Sequence, residues 1–541
     1  MQPVLTAAEM AELDRYTIER MGVEGKELMG RAAREVLRVS QLWFPDAKRP
    51  VIFAGAGNNG GDGVALAGFM LEAEQIPLLV LCQPDITDPP RLSSDSSYYY
   101  DMAVKAGVEV RLLPDPAEAV EILSSAGGDL LIDSLFGTGL DRPLGDYYVK
   151  LLDLLRGTHL PVLAVDCPSG LNCTSGEVYE GTLPAVVTVT MGYPKRGFYY
   201  PAAVEYVGKV ITADLGFASL AEAGVVPACL DWPDALWEPL RHRRRLDTHK
   251  GDYGKLLIVA GHASYPGAPR LAALGALYAG AGLVRLVVPE PLFTACSSDP
   301  SVMVEAHSTD GQGGFAARPD ARLLEYLDWA DALLIGPGLG DGEAPSELAG
   351  ELLRRRDLPV LIDADGLRAL WPGNGDTLVA ELSAQRRAWP LLLTPHVGEL
   401  ARLAGVSTAE ASARWFEVAR ETARRLQVLV LAKSCQCLVA EPEGNIVFPR
   451  CGHPALATGG TGDVLSGIAA ALLARRHALE ARQPAPPESS RASDSIVIAV
   501  SAVNIHAQAG RLGAKFWGEN GLTPTELARL VPRAMLDLGA R

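Results

Sequence analysis

The run "RPVIFAGAGNNGGDGVALAGFML", residues 49–71, limits the fold of this 541-residue chain more than any other stretch. A short apolar run that is polar on neither side reads as a strand buried on both faces. Glycines break the run, and an apolar helical pattern follows at once. The same order returns at "PLLVLC", "DLLIDSLFG", "PVLAVDCPSG" and "AVVTVTMG", each closed by Gly, Asp, Ser or a nearby turn. Such repetition builds a parallel sheet with helices on both faces, and its ligands gather at the carboxyl ends of the strands.

The grammar restarts in the second half with "GKLLIVAGH", "GLVRLVVPE", "DALLIGPGLG", "LPVLIDADG", "WPLLLTPHVGE" and "LVLAKSCQCLVA", the last read as one strand. A chain of this length exceeds one hydrophobic core. The expected fold class is therefore α/β, with two doubly wound α/β domains: residues 1–225, a linker at 226–245, and residues 246–541. A helical stretch is expected from Ala7 to Val39. Arg241 to Arg245, "RHRRR", reads as a solvated linker face, with a phosphate patch as the alternative. Residues 482–495, "RQPAPPESSRASDS", read as a surface loop before a helix near Ile496.

Net charge is −16, so no global basic field draws nucleic acid or an anionic membrane. Neither partner is expected. Local phosphate binding by loop amides and helix N-termini stays open. The N-terminal residues meet Glu9, Glu12 and Asp14 before any long apolar run, unlike a signal peptide, and no window reaches the ~20 apolar residues of a membrane span. The eight cysteines contain no CxxC pair, which disfavours disulfide scaffold and zinc site alike. A cytoplasmic location is expected.

In "GAGNNGGDG" the glycines free backbone N–H groups for an anion, and the following helix adds its positive end. Asn58, Asn59 and Asp62 add carboxamide and carboxylate groups that a bare phosphate cradle does not need; a helix-capping turn is the plainer reading. Asp133 in "DSLFGTGLDRP", Asp166 and Ser169 in "DCPSGLN", and Lys195 in "GYPKRG" stand at further strand ends. In a doubly wound sheet these ends meet over one crevice. An acid and a lysine there can act as a general acid–base pair. Asn59, Asp133 and the Ser169 region offer hard oxygens, which suit an alkali or hard divalent cation rather than Zn²⁺.

The succession "NNGGDG", "DSLFGTGL", "DCPSG", "GYPKRG" resembles the YjeF-type N-terminal domain, the NAD(P)H-hydrate epimerase family, over about residues 1–225. The resemblance implies a Rossmann-like domain. It implies that Asn58, Asn59, Gly60, Gly61 and Asp62, with Gly137, Thr138, Gly139, Leu140, Asp141, Arg142 and Pro143, hold the hydrated dinucleotide. It further implies that Asn59, Asp133 and Ser169 bind K⁺ and that Asp166 faces the nicotinamide ring, with Lys195 as its partner.

A second glycine turn, "ATGGTGDVLSG" at 457–467, sets the lone acid Asp463 behind bare backbone and ahead of an apolar helix. Free amides suit a phosphoryl group in transfer. A carboxylate beside it fits if Asp463 takes a proton from the attacking hydroxyl; a helix-capping acid is the plainer reading. "HKGDYGKLLIVAGH", "GAPRLAALGALYAGAGLV", "IGPGLG", "IDADGL", "TPHVGEL" and "ALATGGTGDVLSG" resemble the ADP-dependent NAD(P)H-hydrate dehydratases of the ribokinase-like superfamily. By that resemblance Ala268, Gly338, His396 and Asp463 contact the hydrated nucleotide, with Asp463 as base. Gly462 with Lys433, Ser434, Cys435, Gln436 and Cys437 then holds the adenine nucleotide. The family's Lys–Gly–x–x–Thr reads "KSCQC" here, so a thiol replaces a stronger hydroxyl donor.

Together the resemblances imply a bifunctional enzyme. One domain interconverts the 6R and 6S epimers of NADH or NADPH hydrate. The other dehydrates the S form at the expense of ADP, with Mg²⁺, releasing AMP and phosphate. A homo-oligomer is expected. The alternative is a vitamin or sugar kinase fused to a non-catalytic nucleotide-sensing domain.

Overall fold

The computed structural model of the protein describes residues 1–84, 92–355, 357–373, 375–384, 387–450, 452–481 and 488–541. It divides into two compact units, Met1–Leu230 and Asp231–Arg541. Among the described residues, no helix is long and apolar enough to cross a membrane.

The first unit is built on seven parallel strands: β1 (Pro50–Ala54), β2 (Leu78–Cys82), β3 (Glu109–Leu113), β4 (Leu130–Ser134), β5 (Val162–Val165), β6 (Val187–Met191) and β7 (Lys209–Ala213). Their order is β3-β2-β1-β4-β5-β6-β7, so the chain reverses direction across the sheet between β1 and β4. Period-two alternation splits each strand between two cores. Ile52, Leu79, Ile132 and Leu163 pack into one, while Val51, Phe53, Val80 and Leu131 pack into the other. The edge strand β3 is largely exposed and breaks its apolar run with Glu109 and Arg111. The expected helix from 7 to 39 is two helices, Ala7–Glu19 and Gly25–Trp43. Between them Gly22 takes φ +72°, a left-handed conformation that a helix cannot continue through.

The second unit holds β8 (Lys255–Val259), β9 (Leu283–Pro289), β10 (Met303–His307), β11 (Ala332–Ile335), β12 (Val360–Ile362), β13 (Leu391–Leu393), β14 (Leu429–Ala432), β15 (Leu438–Ala440) and β16 (Ile446–Phe448). The order runs β16-β15-β14-β13-β12-β11-β8-β9-β10. Strands β8 to β14 are parallel, and β14–β15–β16 turn antiparallel. "LVLAKSCQCLVA" is thus a hairpin, not one strand, with Lys433 to Cys437 at its turn. Helix Thr461–Glu480 crosses helix Gly267–Tyr278 at close range. A Cβ on Gly467 would lie 2.0 Å from the Ala272 carbonyl oxygen, and one on Gly275 2.3 Å from that of Val464.

Two further expectations change. Within 226–245, Ala235, Leu236, Trp237 and Leu240 are buried in the core of the second unit, because their apolar side chains have a helix pair to pack on. The Arg-rich run after them is exposed and finds partners on the same unit: Arg244 stacks on Tyr253 at 3.9 Å and donates to the Gly280 carbonyl. Of the expected loop 482–495, residues 482–487 lie outside the described residues. From Glu488 the chain is already helix, continuing to Trp517.

Candidate functional sites

At the reversal point of the first sheet, the loops after β1, β4, β5 and β6 enclose a cavity of about 630 Å³. The chain leaving β1 passes Gly57 and enters helix Asn58–Glu72 directly. Asn58, Asn59 and Gly60 therefore form the first helical turn rather than a loop, with amides free of intrahelical acceptors. Gly60 is required: a Cβ there would lie 1.8 Å from the Gly55 carbonyl oxygen. Asn58, Asn59, Asp62, Gly137, Thr138, Gly139, Leu140, Asp166 and Lys195 all line the cavity. Gly60 and Gly61 are buried behind the wall, Asp141 and Arg142 are exposed beyond it, and Pro143 borders a separate depression.

Asp166 sits at φ +62°, a conformation costly for a residue with a side chain and one that gathers at functional sites. The bend brings its Oδ1 to three donors: Lys195 Nζ at 2.8 Å, Met191 N at 3.1 Å and Thr190 Oγ1 at 3.3 Å. Lys195 is fully buried and gives its other two N–H groups to Thr190 Oγ1 and the Met191 carbonyl, at 2.7 and 2.9 Å. It is a strut for Asp166, its donor capacity exhausted. The second oxygen, Oδ2, faces Gly137.

Beside it, Asp133 is buried and accepts hydrogen bonds from Ser169 N at 2.8 Å and from Ser169 Oγ. Burial pushes the Asp133 carboxyl up, although the bonds from Ser169 oppose the shift. Asn59 Oδ1 and Nδ2 are buried without a hydrogen-bond partner. An orphaned buried amide oxygen is costly alone, and amide, carboxyl and hydroxyl oxygens are the donor chemistry of a hard cation; Asp133 and Ser169 stand outside the lining of the cavity. Among the described residues, His, Cys, Asp and Glu form no cluster able to hold a metal by themselves.

In the second unit the turn "TGGTGD" heads helix Thr461–Glu480, with Gly460 at φ +97° as its cap. Thr461 Oγ1 donates to the Leu456 and Thr458 carbonyls. His506, buried and pushed down to about 4 by that burial, donates from Nε2 to the Thr461 carbonyl at 2.9 Å. This neutral brace fixes the turn while the amides of Gly462 and Asp463 keep no intrahelical acceptor.

Below the turn, Lys433 Nζ pairs with Asp363 Oδ1 at 2.6 Å and lies 3.5 Å from where a Cβ on Gly462 would stand. Burial alone would lower the Lys433 pKa; Asp363, Glu399 and Asp463 more than offset it, and the net shift is upward. The acids outside the Lys433–Asp363 pair are raised as well. Asp463 rises to about 7, through burial first and then the Asp363 charge, against the pull of Lys433. Glu399 also rises to about 7, mainly by burial. A carboxyl poised near neutrality beside free amides suits a general base for group transfer.

Gly338, at φ +58°, sits against Ala268: a Cβ there would lie 3.0 Å from the Ala268 Cβ. His396 caps helix Val397–Ala404, its Nδ1 accepting from Gly398 N at 3.0 Å, and Glu399 returns a bond to His396 N. In the "KSCQC" turn, Cys437 Sγ donates to the Ser434 carbonyl at 3.5 Å and Gln436 Nε2 to the Pro449 carbonyl at 3.1 Å. Those side chains close the hairpin. Cys435 is exposed and its carbonyl accepts from Gly452 N. Asp363, Asp365 and Glu399 were not picked out from sequence, although "IDADG" and "TPHVGE" both end strands, where acids signal a site.

Two doubly wound units, each with a glycine-headed helix facing a lysine–aspartate pair, define an enzyme with two acid–base centres. A family model described as NAD(P)H-hydrate dehydratase matches residues 256–533, and one described as YjeF-related protein N-terminus matches residues 25–197. The bifunctional NAD(P)H-hydrate repair enzyme Nnr of Thermofilum pendens is 33% identical over 99% of this chain and 96% of its own. The Nnr of Salinibacter ruber is 35% identical over 87% of this chain and 88% of its own. A solved ADP/ATP-dependent NAD(P)H-hydrate dehydratase from Bacillus subtilis, co-crystallized with ATP/Mg2+, is 27% identical and covers 57% of this chain and 98% of its own, with a TM-score of 0.44. The chain belongs to the family of bifunctional NAD(P)H-hydrate repair enzymes.

Proposed function

We propose that the chain restores hydrated NADH and NADPH in the cytoplasm, residues 1–225 interconverting the 6R and 6S hydrates and residues 246–541 dehydrating the S form with ADP. The observation that carries the second reaction is Asp463 at about 7 beside the open amides of its own turn. Asp463 accepts the proton of the C6 hydroxyl as that oxygen attacks the β-phosphorus of ADP. The bond from phosphorus to the bridging oxygen breaks, and AMP departs. The amides of Gly462 and Asp463, with Lys433, meet the charge on the moving phosphoryl group. Phosphate is a far better leaving group than hydroxide, so the C6–O bond then opens with help from the N1 lone pair. Loss of a proton from C5 restores the double bond. Ala268, Gly338 and His396 flank the hydrated ring, and the turn Lys433 to Cys437 supports the adenine nucleotide.

Mg²⁺ bound with ADP would neutralise polyphosphate charge; Glu399 and Asp365 are hard oxygen donors whose charges act on Asp463. In the first unit Asn59, Asp133 and Ser169 would hold K⁺, whose charge would answer the orphaned Asn59 oxygen and the desolvated Asp133. Asp166 faces the C6 carbon and Lys195 orients it. Assembly as a homo-oligomer completes the reading; exposed Leu42, Trp43, Tyr98 and Met102 offer apolar contact area.

The test supplies purified full-length chain with NADPH hydrate, ADP and Mg²⁺. Recovery of NADPH absorbance with one AMP and one free phosphate per NADPH is expected. A lasting phosphorylated product would instead identify a kinase.

A further inference from the structure

The cavity of the first unit contains an acid that neither the sequence motifs nor the reading above assigns. Helix Ala7–Glu19 presents Met10, Asp14 and Ile18 to the cavity at four-residue spacing, while Met10, Leu13 and Thr17 form its buried stripe next to them. The helix is pinned in place. Its cap Thr6 forms a reciprocal bond with Glu9. The preceding Leu5 exchanges backbone bonds with Pro194 and Arg196, and Thr17 Oγ1 accepts from Ala218 N at 3.1 Å. A carboxyl placed between Met10 and Ile18 on a fixed helix face has a costly position for a merely solvated group.

The other ionisable groups lining the cavity are Asp62, Asp95, Tyr148, Asp166 and Lys195. Lys195, the one cation among these lining residues, has spent its three N–H groups on Asp166, Thr190 and Met191. Asp14 and Asp62 therefore have no cation of the wall to pair with. Asn59, buried and unpartnered in the same wall, marks the cavity as built for a ligand.

We propose that Asp14 is the general acid of epimerisation, with Asp166 as its partner base; the proposal rests on the epimerase reading of this unit. The proton passes to the C6 hydroxyl, and the C6–O bond breaks with both electrons on oxygen, so water leaves. The N1 lone pair closes to a planar N1=C6 iminium. Water adds to the opposite face of C6 and gives its proton to Asp166, and return of that proton to Asp14 resets the site. No oxidant or nucleotide is consumed. The positive charge that develops on the ring faces three carboxyl groups. Burial, then Asp166, raises Asp14; burial, Asp166 and Asp14 raise Asp62 well above its ordinary range. Both shifts favour the protonated form an acid needs.

The experiment follows exchange between the 6R and 6S forms of NADPH hydrate by NMR, on the full-length chain without ADP, from pH 5 to 10. Wild type is expected to exchange them faster than buffer alone, with a rate that falls on the alkaline side as the Asp14 proton is lost. Asp14→Asn is expected to lose about 10²-fold of the rate, the scale of general acid catalysis. Its alkaline limb should be lost with the Asp14 proton. Asp14→Glu should recover at least a tenth of the wild-type rate and return the limb, and it decides the case should the Asn variant unfold. Recovery no better than Asp14→Asn, or an Asn variant with wild-type rate and limb, overturns the role of Asp14. Wild-type exchange no faster than buffer overturns the epimerase reading itself.

Discussion

The two units solve a similar problem with lysines of opposite character. In the first, Lys195 is sealed from solvent and locked to Asp166 by a 2.8 Å ion pair. In the second, Lys433 pairs with Asp363 at 2.6 Å but keeps 17% of its side chain exposed beneath the glycine turn. In each, one strand-end carboxylate takes the lysine, and the acids left over are raised: Asp62 and Asp14 in one, Asp463 and Glu399 in the other. Pairing one acid leaves its neighbours poised for proton transfer. The first lysine is sealed on its acid; in the proposed reaction the second, beneath open amides, meets the phosphoryl group.

The largest effect that would break this contrast is on Lys195. Lys195→Met should strand Asp166 as a buried, unpaired charge and destabilise the first unit by about 3–5 kcal/mol. Denaturant unfolding should show an earlier transition for that unit alone. Next, Gly467→Ala forces a Cβ onto the Ala272 backbone. It should cost the second unit about 1–3 kcal/mol and slow ADP-dependent dehydration while epimer exchange keeps its rate.

Lys433→Met sharpens the comparison through pH. Lys433 lowers the Asp463 pKa, so its loss should raise that pKa further and move the acid limb of dehydration to higher pH. Apparent ADP affinity should fall about tenfold, or ~1.4 kcal/mol. An unmoved limb would show that Lys433 does not act on the base. A further pH effect is on stability. Asp463 is raised from 3.8 to about 7, so the stability it leaves intact below pH 4 is lost as pH climbs through about 7. Asp463→Asn lacks this loss. It should gain stability over wild type as pH rises from 4 through 7 and match it below pH 4, in thermal unfolding at each pH.

Much of both sheets was legible because buried parallel strands are continuous apolar runs closed by Gly or Asp. β3 was not, since an exposed edge strand carries Glu109 and Arg111 where an inner strand would be apolar. The "KSCQC" hairpin was missed because its apolar flanks read as one run. At the sites, Asp133, Asp166, Lys195 and Asp463 stand at strand ends or glycine turns, where local pattern points to chemistry. Asp14 and His506 do not. Each lies within a helix, and only the packing of that helix carries it to a site distant in sequence.

The central claim is that Asp463 is the base of an ADP-driven dehydration housed apart from epimerisation. It is tested most directly by giving Asp463→Asn the mixed hydrates of NADPH with ADP and Mg²⁺. The account predicts that NADPH and phosphate formation falls at least 10³-fold while the epimers still interconvert at the wild-type rate. NADPH recovery at the wild-type rate would contradict it.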